Sequence, residues 1–295
     1  QSILDRGGAP RFYLTGSSAR KLRRGHANLL PGRVHTYSLG PLVSGELDRE
    51  LDTRAALSTG TLPGIYVDPD RSSRVKTLSS YCATYLKEEI QAEALARNIE
   101  GFSRFLHVAA ACAGSFLDLS KLASEAGVAR QSAVRFFEIL EDTLIVRRAE
   151  AFAKSERRRL VQHPRYFFFD TGVLNGVMGN FEPSPDRIGV LMEHLVFNQI
   201  VHTASSLDQD IRVSSFRTEH GAEVDFIVET RKDTWAVEVK ASKSIGRHDL
   251  RGLKRFREFH GKKCGAVVLY LGTVEKLIEG IEILPWQVGL ERMGL

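Results

Sequence analysis

Three charges, Asp225, Glu238 and Lys240, interrupt two otherwise apolar segments at 223–228 and 235–240, and they constrain the fold more than any other part of the chain. Side chains alternate across a β-strand, so Val224, Phe226 and Val228 are expected on one face, with Glu223, Asp225 and Ile227 on the other. In the second segment Trp235, Val237 and Val239 form the apolar face, opposite Ala236, Glu238 and Lys240. The connecting residues 229–234 suit a hairpin loop that pairs Val228 with Trp235, and the same register sets Asp225 opposite Glu238. Two carboxylates and an ammonium then converge. Like charges directly opposite are destabilising, and one Lys does not fully offset two partly desolvated carboxylates. A divalent cation does. Mg²⁺, or Mn²⁺ in its place, favours hard oxygen ligands, and Mg²⁺ takes one or two carboxylates while keeping waters and a substrate phosphate. Asp225 and Glu238 are therefore the candidate metal ligands. Lys240 would position an attacking water or stabilise charge on a phosphate. A solvated strand face with a Glu-Lys pair is the alternative that these residues alone leave open.

The order of elements around this hairpin adds a fourth residue. Residues 188–200 have helical spacing of apolar side chains, and Glu193 lies among Val190, Val196 and Phe197. A carboxylate on an apolar helix face is costly unless it is paired or binds metal. A strand at 212–218, a turn at 219–221, the two charged strands, a helix at about 249–260 and an apolar strand at 265–271 follow. This α-β-β-β-α-β order, with Glu193, Asp225, Glu238 and Lys240 in sequence, resembles the PD-(D/E)xK nuclease superfamily. The resemblance implies a restriction-endonuclease-like fold and Mg²⁺-dependent cleavage of phosphodiesters at these four residues. The Pro of the superfamily's name is Val224 here, a position that varies widely among its members. The fold also serves as an inert DNA-binding module.

At 295 residues the chain suits two or three domains. Its 43% hydrophobic and 26% charged residues are those of a globular protein, and the net charge of +5 is a mild bias toward polyanions. No apolar run reaches membrane length and no signal-peptide pattern opens the chain, which makes the cytoplasm the expected location and a membrane partner unexpected. Cys82, Cys112 and Cys264 are scattered, which argues against a disulfide framework or a zinc site.

The middle of the chain carries the positive charge. A short helix at 117–127, capped by Asp118 or Ser120 and stopped by Gly127, is followed by a second helix at about 130–141, which is helix-turn-helix spacing. The second helix is expected to bury Val134, Phe137 and Leu140. It leaves Arg130, Gln131, Ser132 and Arg135 near its exposed N-terminal half, where a recognition helix meets a major groove. Residues 144–146 would begin a wing, and Arg147, Arg148, Lys154, Arg157, Arg158, Arg159 and Arg165 follow as phosphate contacts to DNA. The alternative is a connector whose arginines form a solvated face.

Near the N-terminus, a strand at 11–15, a Gly16-Ser17-Ser18 turn and a basic helix can hold an anion, but the G-x-x-x-x-G-K-[ST] spacing is absent. Residues 14–22, 30–33 and 37–42, with further stretches at 60–64, 81–89, 166–172 and 223–240, are similar to a prokaryotic AAA-type ATPase family. In that family the ATPase domain precedes a winged helix and a C-terminal domain of unknown function with the nuclease-like fold. The resemblance implies that Thr15 to Ser17 form a sensor strand near the γ-phosphate. It also implies that Arg33 acts toward nucleotide in cis or across a subunit interface, so that copies of the chain would assemble through the ATPase part. Walker A and Walker B are missing and the chain starts at Gln1, so it reads as a C-terminal portion. ATP is expected only where an upstream P-loop completes the site.

Helices are also expected at 51–56 and 75–97, where Glu88, Glu89 and Glu93 read as a solvated face. His107 reads as a core residue, and 179–186 as the linker before the nuclease-like helix. The resulting architecture is α/β. Residues 1–100 form a partial P-loop ATPase remnant with a helical lid, 101–178 a winged helix-turn-helix, and 187–295 the restriction-endonuclease-like domain. A non-catalytic, nucleic-acid-binding or regulatory module of an ATPase is the competing expectation.

Overall fold

Four aspartates set where much of the helical structure begins. Asp52 accepts hydrogen bonds from the amides of Arg54 (2.9 Å) and Ala55 (3.1 Å), opening α1 (Thr53–Thr59). This cap moves the helix expected at 51–56 a short way along the chain. Pro63, with its φ already helical, starts α2 (Pro63–Tyr66). Asp70 caps α3 (Arg71–Ser80) through Ser72 and Ser73, so this helix starts ahead of the expected position 75 and continues as a π-turn through Tyr81–Tyr85. The structure, a computed structural model, describes residues 37–85, 99–152, 163–218, 221–261 and 264–295, with the single positions 13 and 35. Thr15, Ser17, Arg33, Glu88, Glu89, Glu93, Lys154, Arg157, Arg158 and Arg159 lie outside the described residues.

The helix-turn-helix pair forms as its spacing predicts. After α4 (Ile99–Ala111), Asp118 caps α5 (Leu119–Glu125) through the amides of Ser120 and Lys121. Gly127 takes φ +64°, a conformation that side chains with a Cβ disfavour, and lets the chain turn into α6 (Arg130–Asp142). The buried face of α6 is made by Ala133, Phe136, Phe137, Ile139 and Leu140. Val134 is only half-buried, and Arg130, Gln131 and Arg135 are exposed. Phe102 and Phe105 of α4 pack edge-on or tilted against Phe136 and Phe137. That packing turns His107 outward, so it is exposed rather than in the core.

The hairpin that follows, β1 (Val146–Ala151) and β2 (Arg165–Phe168), does not stand apart as a wing. β1 pairs in parallel with β3 (Arg212–Arg217), joining Glu150 to Ser214 and Ala151 to Ser215, so the hairpin extends one edge of the main sheet. Between them, α7 (Thr171–Met178) is capped by Asp170, and α8 (Ile188–Ser206) follows. The sheet continues through β4 (Glu223–Glu229) and β5 (Thr234–Lys240), then α9 (Arg251–His260), β6 (Gly265–Tyr270), β7 (Lys276–Ile278) and β8 (Ile281–Pro285) before α10 (Trp286–Arg292). The run α8-β3-β4-β5-α9-β6 has the expected α-β-β-β-α-β order. The strands lie in the order β2-β1-β3-β4-β5-β6-β8-β7, mixing parallel and antiparallel pairs. Among the described residues the chain is thus a mixed α/β structure with ten α-helices.

Helices cover both faces of the sheet. On one, α8 packs on β2 and β5 and α10 on β6 and β8, while α1, α4 and α7 add to the same apolar core through Leu57, Phe105 and Val173. On the other face, α9 seals a smaller core of Val224, Ile227, Ala236, Leu253 and Phe256. Gly252 lets α9 approach: a Cβ there would lie 1.8 Å from the Glu223 carbonyl oxygen.

Candidate active site

The charged hairpin has the expected register at its loop end, with Val228 opposite Trp235 and Phe226 opposite Val237. Its loop is held by the Thr230 hydroxyl, which accepts from the amides of Lys232 (3.2 Å) and Asp233 (2.9 Å). The simple alternation fails toward the start of β4. Ser214 of β3 pairs with Ile227, whereas Phe216 pairs with Val224, so β4 carries one extra residue in this interval. Such a bulge rotates the strand locally. Val224 consequently faces the α9 core with Ile227, rather than joining Phe226 and Val228 beneath α8, as strict alternation required.

Asp225 sits in this bulged interval, and its Oδ2 accepts the Val239 amide at 2.8 Å, which fixes it beside Glu238 on the neighbouring strand. Lys240 Nζ lies 2.7 Å from Glu238 Oε1. The other Glu238 oxygen, Oε2, is buried and has no hydrogen-bond partner. Glu193 reaches the same region from α8. The structure therefore brings together all four residues singled out in the sequence.

A fifth residue, Arg165, lies among them. Its Nη2 is hydrogen-bonded to Glu193 Oε2, its Nη1 donates to the Asp225 carbonyl oxygen at 3.2 Å and lies 4.0 Å from Asp225 Oδ1, and its Nε donates to the Gly114 carbonyl. Only 4% of this side chain is exposed. Its expected role as a phosphate contact on a wing is corrected here: β2 turns it inward, where two carboxylates compensate its charge. Sequence reasoning missed it because those partners are remote along the chain.

Electrostatics follow from this enclosure. Burial, then the charge of Asp225, raises Glu193 to about 7 and Glu238 to about 8. Burial also raises Asp225, against the pull of Arg165 and the Val239 amide. For Lys240, burial acts downward, but Glu238 beside it carries the ammonium above its ordinary value. Three carboxylates thus share two cations, and burial disfavours the charged form of each carboxylate.

Among the described residues no group of three or more His, Cys, Asp or Glu side chains has metal-site spacing. The oxygen donors that a hard divalent ion would find there are fewer, Asp225 and Glu238, and Glu238 Oε2 is buried without a hydrogen-bond partner.

Of the residues expected at DNA, Arg130, Gln131 and Arg135 are exposed on α6, well apart in sequence from the acid cluster. Arg148 is engaged by Glu141 (3.3 Å) and Glu150 (3.2 Å), and Arg147 is half-buried.

Comparison with known proteins divides the chain near the start of α8. Residues 50–184 match a domain of unknown function (DUF8612), and residues 188–288 match a second domain of unknown function (DUF4143). DUF4143 often accompanies ATP-binding proteins of the AAA ATPase class. Uncharacterized proteins of Mycobacterium bovis and Mycobacterium tuberculosis are each 24% identical over 244 residues, covering 81% of this chain and 54% of the relative. The chain spans about half the length of the curated relatives it matches. Glu193, Asp225, Glu238 and Lys240 fall in the DUF4143 match, and Arg165 in the DUF8612 match. Among the described residues no helix is long and apolar enough to cross a membrane.

Proposed function

We propose that this chain is a DNA-directed, ATPase-associated protein whose restriction-endonuclease-like part, 187–295, cleaves phosphodiesters with Mg²⁺ or Mn²⁺. The observation that carries this reading is the convergence of Glu193, Asp225, Glu238 and Lys240 from three elements, with one oxygen of Glu238 buried and unpartnered. A buried carboxylate oxygen without a donor is costly, and a cation removes that cost. Asp225 and Glu238 would hold the ion, and Glu193 would complete the site from α8. When bound, Mg²⁺ supplies a Lewis acid for the phosphate and a more acidic water. Lys240, kept protonated and oriented by Glu238, supports the attacking water or the charge developing on the phosphate.

The exposed face of α6, with Arg130, Gln131 and Arg135, would bind duplex DNA, extended by Arg157, Arg158 and Arg159 of the β1-β2 connection. Residues 101–178 would act as the DNA-binding part, presenting its helix-turn-helix beside a hairpin that is built into the main sheet. Residues 1–100 would belong to an AAA-type ATPase domain, with Thr15, Ser17 and Arg33 at nucleotide once a P-loop completes it, and would assemble copies of the chain.

One observation favours a second reading. Arg165 already neutralises part of the acid cluster, which is what a non-catalytic, DNA-binding or regulatory descendant of this fold would need. Incubating the chain with plasmid and branched DNA in Mg²⁺ or Mn²⁺, alongside Asp225→Ala and Lys240→Ala, separates the two. Cleavage that both substitutions abolish supports the enzyme; intact DNA throughout supports the second reading.

A further inference from the structure

Arg165 is the one buried Arg or Lys among the described residues, and its surroundings are unusually complete. Its guanidinium carbon lies 5.6 Å from the Phe116 ring centroid, 5.0 Å from Phe167 and 5.6 Å from Phe226. These faces attract a cation, and the Gly114 carbonyl takes its Nε–H. Nη2 donates to the Glu193 carboxylate, while Nη1 donates to the Asp225 backbone carbonyl and lies 4.0 Å from the Asp225 carboxylate; the metal-dependent reading assigns both carboxylates to the site. A guanidinium here supplies charge that a divalent ion would otherwise bring, and like charges a few ångströms apart in a partly desolvated site repel strongly.

Resting on that metal-dependent reading, we infer that Arg165 is a positioning residue acting as an internal counter-cation, which competes with the divalent ion for Glu193 and Asp225. Metal loading then requires the guanidinium to turn away from these carboxylates. Its other anchors give the exchange a second consequence. Gly114 and Phe116 belong to the connection between α4 and α5, directly before the helix-turn-helix pair. Arg165 and this connection lie in the DUF8612 match, and the carboxylates lie in the DUF4143 match. One side chain thus ties the loading of the acid cluster to the seating of the helix-turn-helix pair.

The test is Mn²⁺ binding by calorimetry to the wild-type chain, Arg165→Met and Arg165→Lys, with Mg²⁺ titration of the wild type followed by NMR. Arg165→Met keeps an apolar stem within the aromatic rings and removes the charge. It should bind Mn²⁺ at least about tenfold more tightly than wild type, while Arg165→Lys, which keeps the charge, stays within about threefold. In the wild type, saturating Mg²⁺ should shift the Arg165 Nε–H resonance, identified by its loss in Arg165→Lys. Should Arg165→Met fail to fold, that resonance alone decides. Equal Mn²⁺ affinity of wild type and Arg165→Met, or a resonance unmoved at saturating Mg²⁺, overturns the inference and leaves the metal site standing. No Mn²⁺ binding by any of the three proteins overturns the metal reading itself.

Discussion

Replacing Glu238 with Gln removes a buried carboxylate whose charged form the site disfavours, and the effect on stability has a definite sign. Burial and then Asp225 raise the Glu238 carboxyl from 4.5 to about 8 in the folded chain. The folded chain keeps a proton there that the unfolded chain releases above about pH 4.5. The stability from this group is fully present below that pH and is lost as pH rises through about 8. At about 1.36 kcal/mol per pKa unit, the wild type loses about 2 to 3 kcal/mol between about pH 5 and 7 through Glu238, and the Glu238→Gln chain does not. Other groups also contribute slopes. Glu193, raised to about 7 by burial and Asp225, acts in the same direction. His194 and His202, lowered to about 4 by burial, act in the opposite one: their contribution is present above about 6.5 and lost as pH falls toward 4. All three remain in the variant, so the difference between the two proteins reports Glu238 together with its electrostatic coupling to Asp225, Glu193 and Lys240. Urea unfolding followed by far-UV circular dichroism, with EDTA present, gives that difference at about pH 5, 6, 7 and 8. Parallel stability curves, or a wild type that gains on the variant with rising pH, would refute the reasoning.

Further substitutions probe the supports of the site. Arg165→Ala should cost about 3 to 5 kcal/mol in urea unfolding without metal, because Glu193 and Asp225 lose their buried partner. Asp170→Asn should cost about 1 to 3 kcal/mol: Asp170 accepts the Thr61 amide at 2.8 Å and the Val173 amide at 3.0 Å, and an amide side chain cannot accept both. Gly252→Ala should destabilise by about 1 to 3 kcal/mol by forcing α9 off the Glu223 carbonyl, read as a lowered melting temperature. Arg130→Ala and Arg135→Ala should each weaken duplex binding and lower the salt slope by about one, measured by fluorescence anisotropy across salt concentrations.

What the sequence disclosed and what it hid separate along physical lines. Local rules were legible. Asp118 and Gly127 bracket α5 because capping and left-handed turns act within a few residues. The alternation in 226–228 and 235–237 gave the hairpin register for the same reason. The bulge in β4 was not legible, because one inserted residue leaves no mark on an apolar pattern, and it moved Val224 to the α9 side. Arg165 was hidden by its neighbourhood in the sequence, a run of basic residues that suggests a solvated face. Its partners, Glu193 and Asp225, are set by the pairing of β2 into the sheet and by α8, which no local rule foretells. His107 was misjudged on similar grounds: its apolar neighbours Phe105 and Leu106 face the core, and the helical turn carries His107 to the exposed side.

Single-turnover cleavage of end-labelled DNA in Mg²⁺, comparing the wild type with Asp225→Asn and Lys240→Ala matched for folding by circular dichroism, tests the central claim most directly. Metal-dependent cleavage that falls by at least about a hundredfold in each variant is the predicted result. Cleavage at equal rates in all three proteins, or intact DNA with the wild type across duplex, single-stranded and branched substrates, would contradict it.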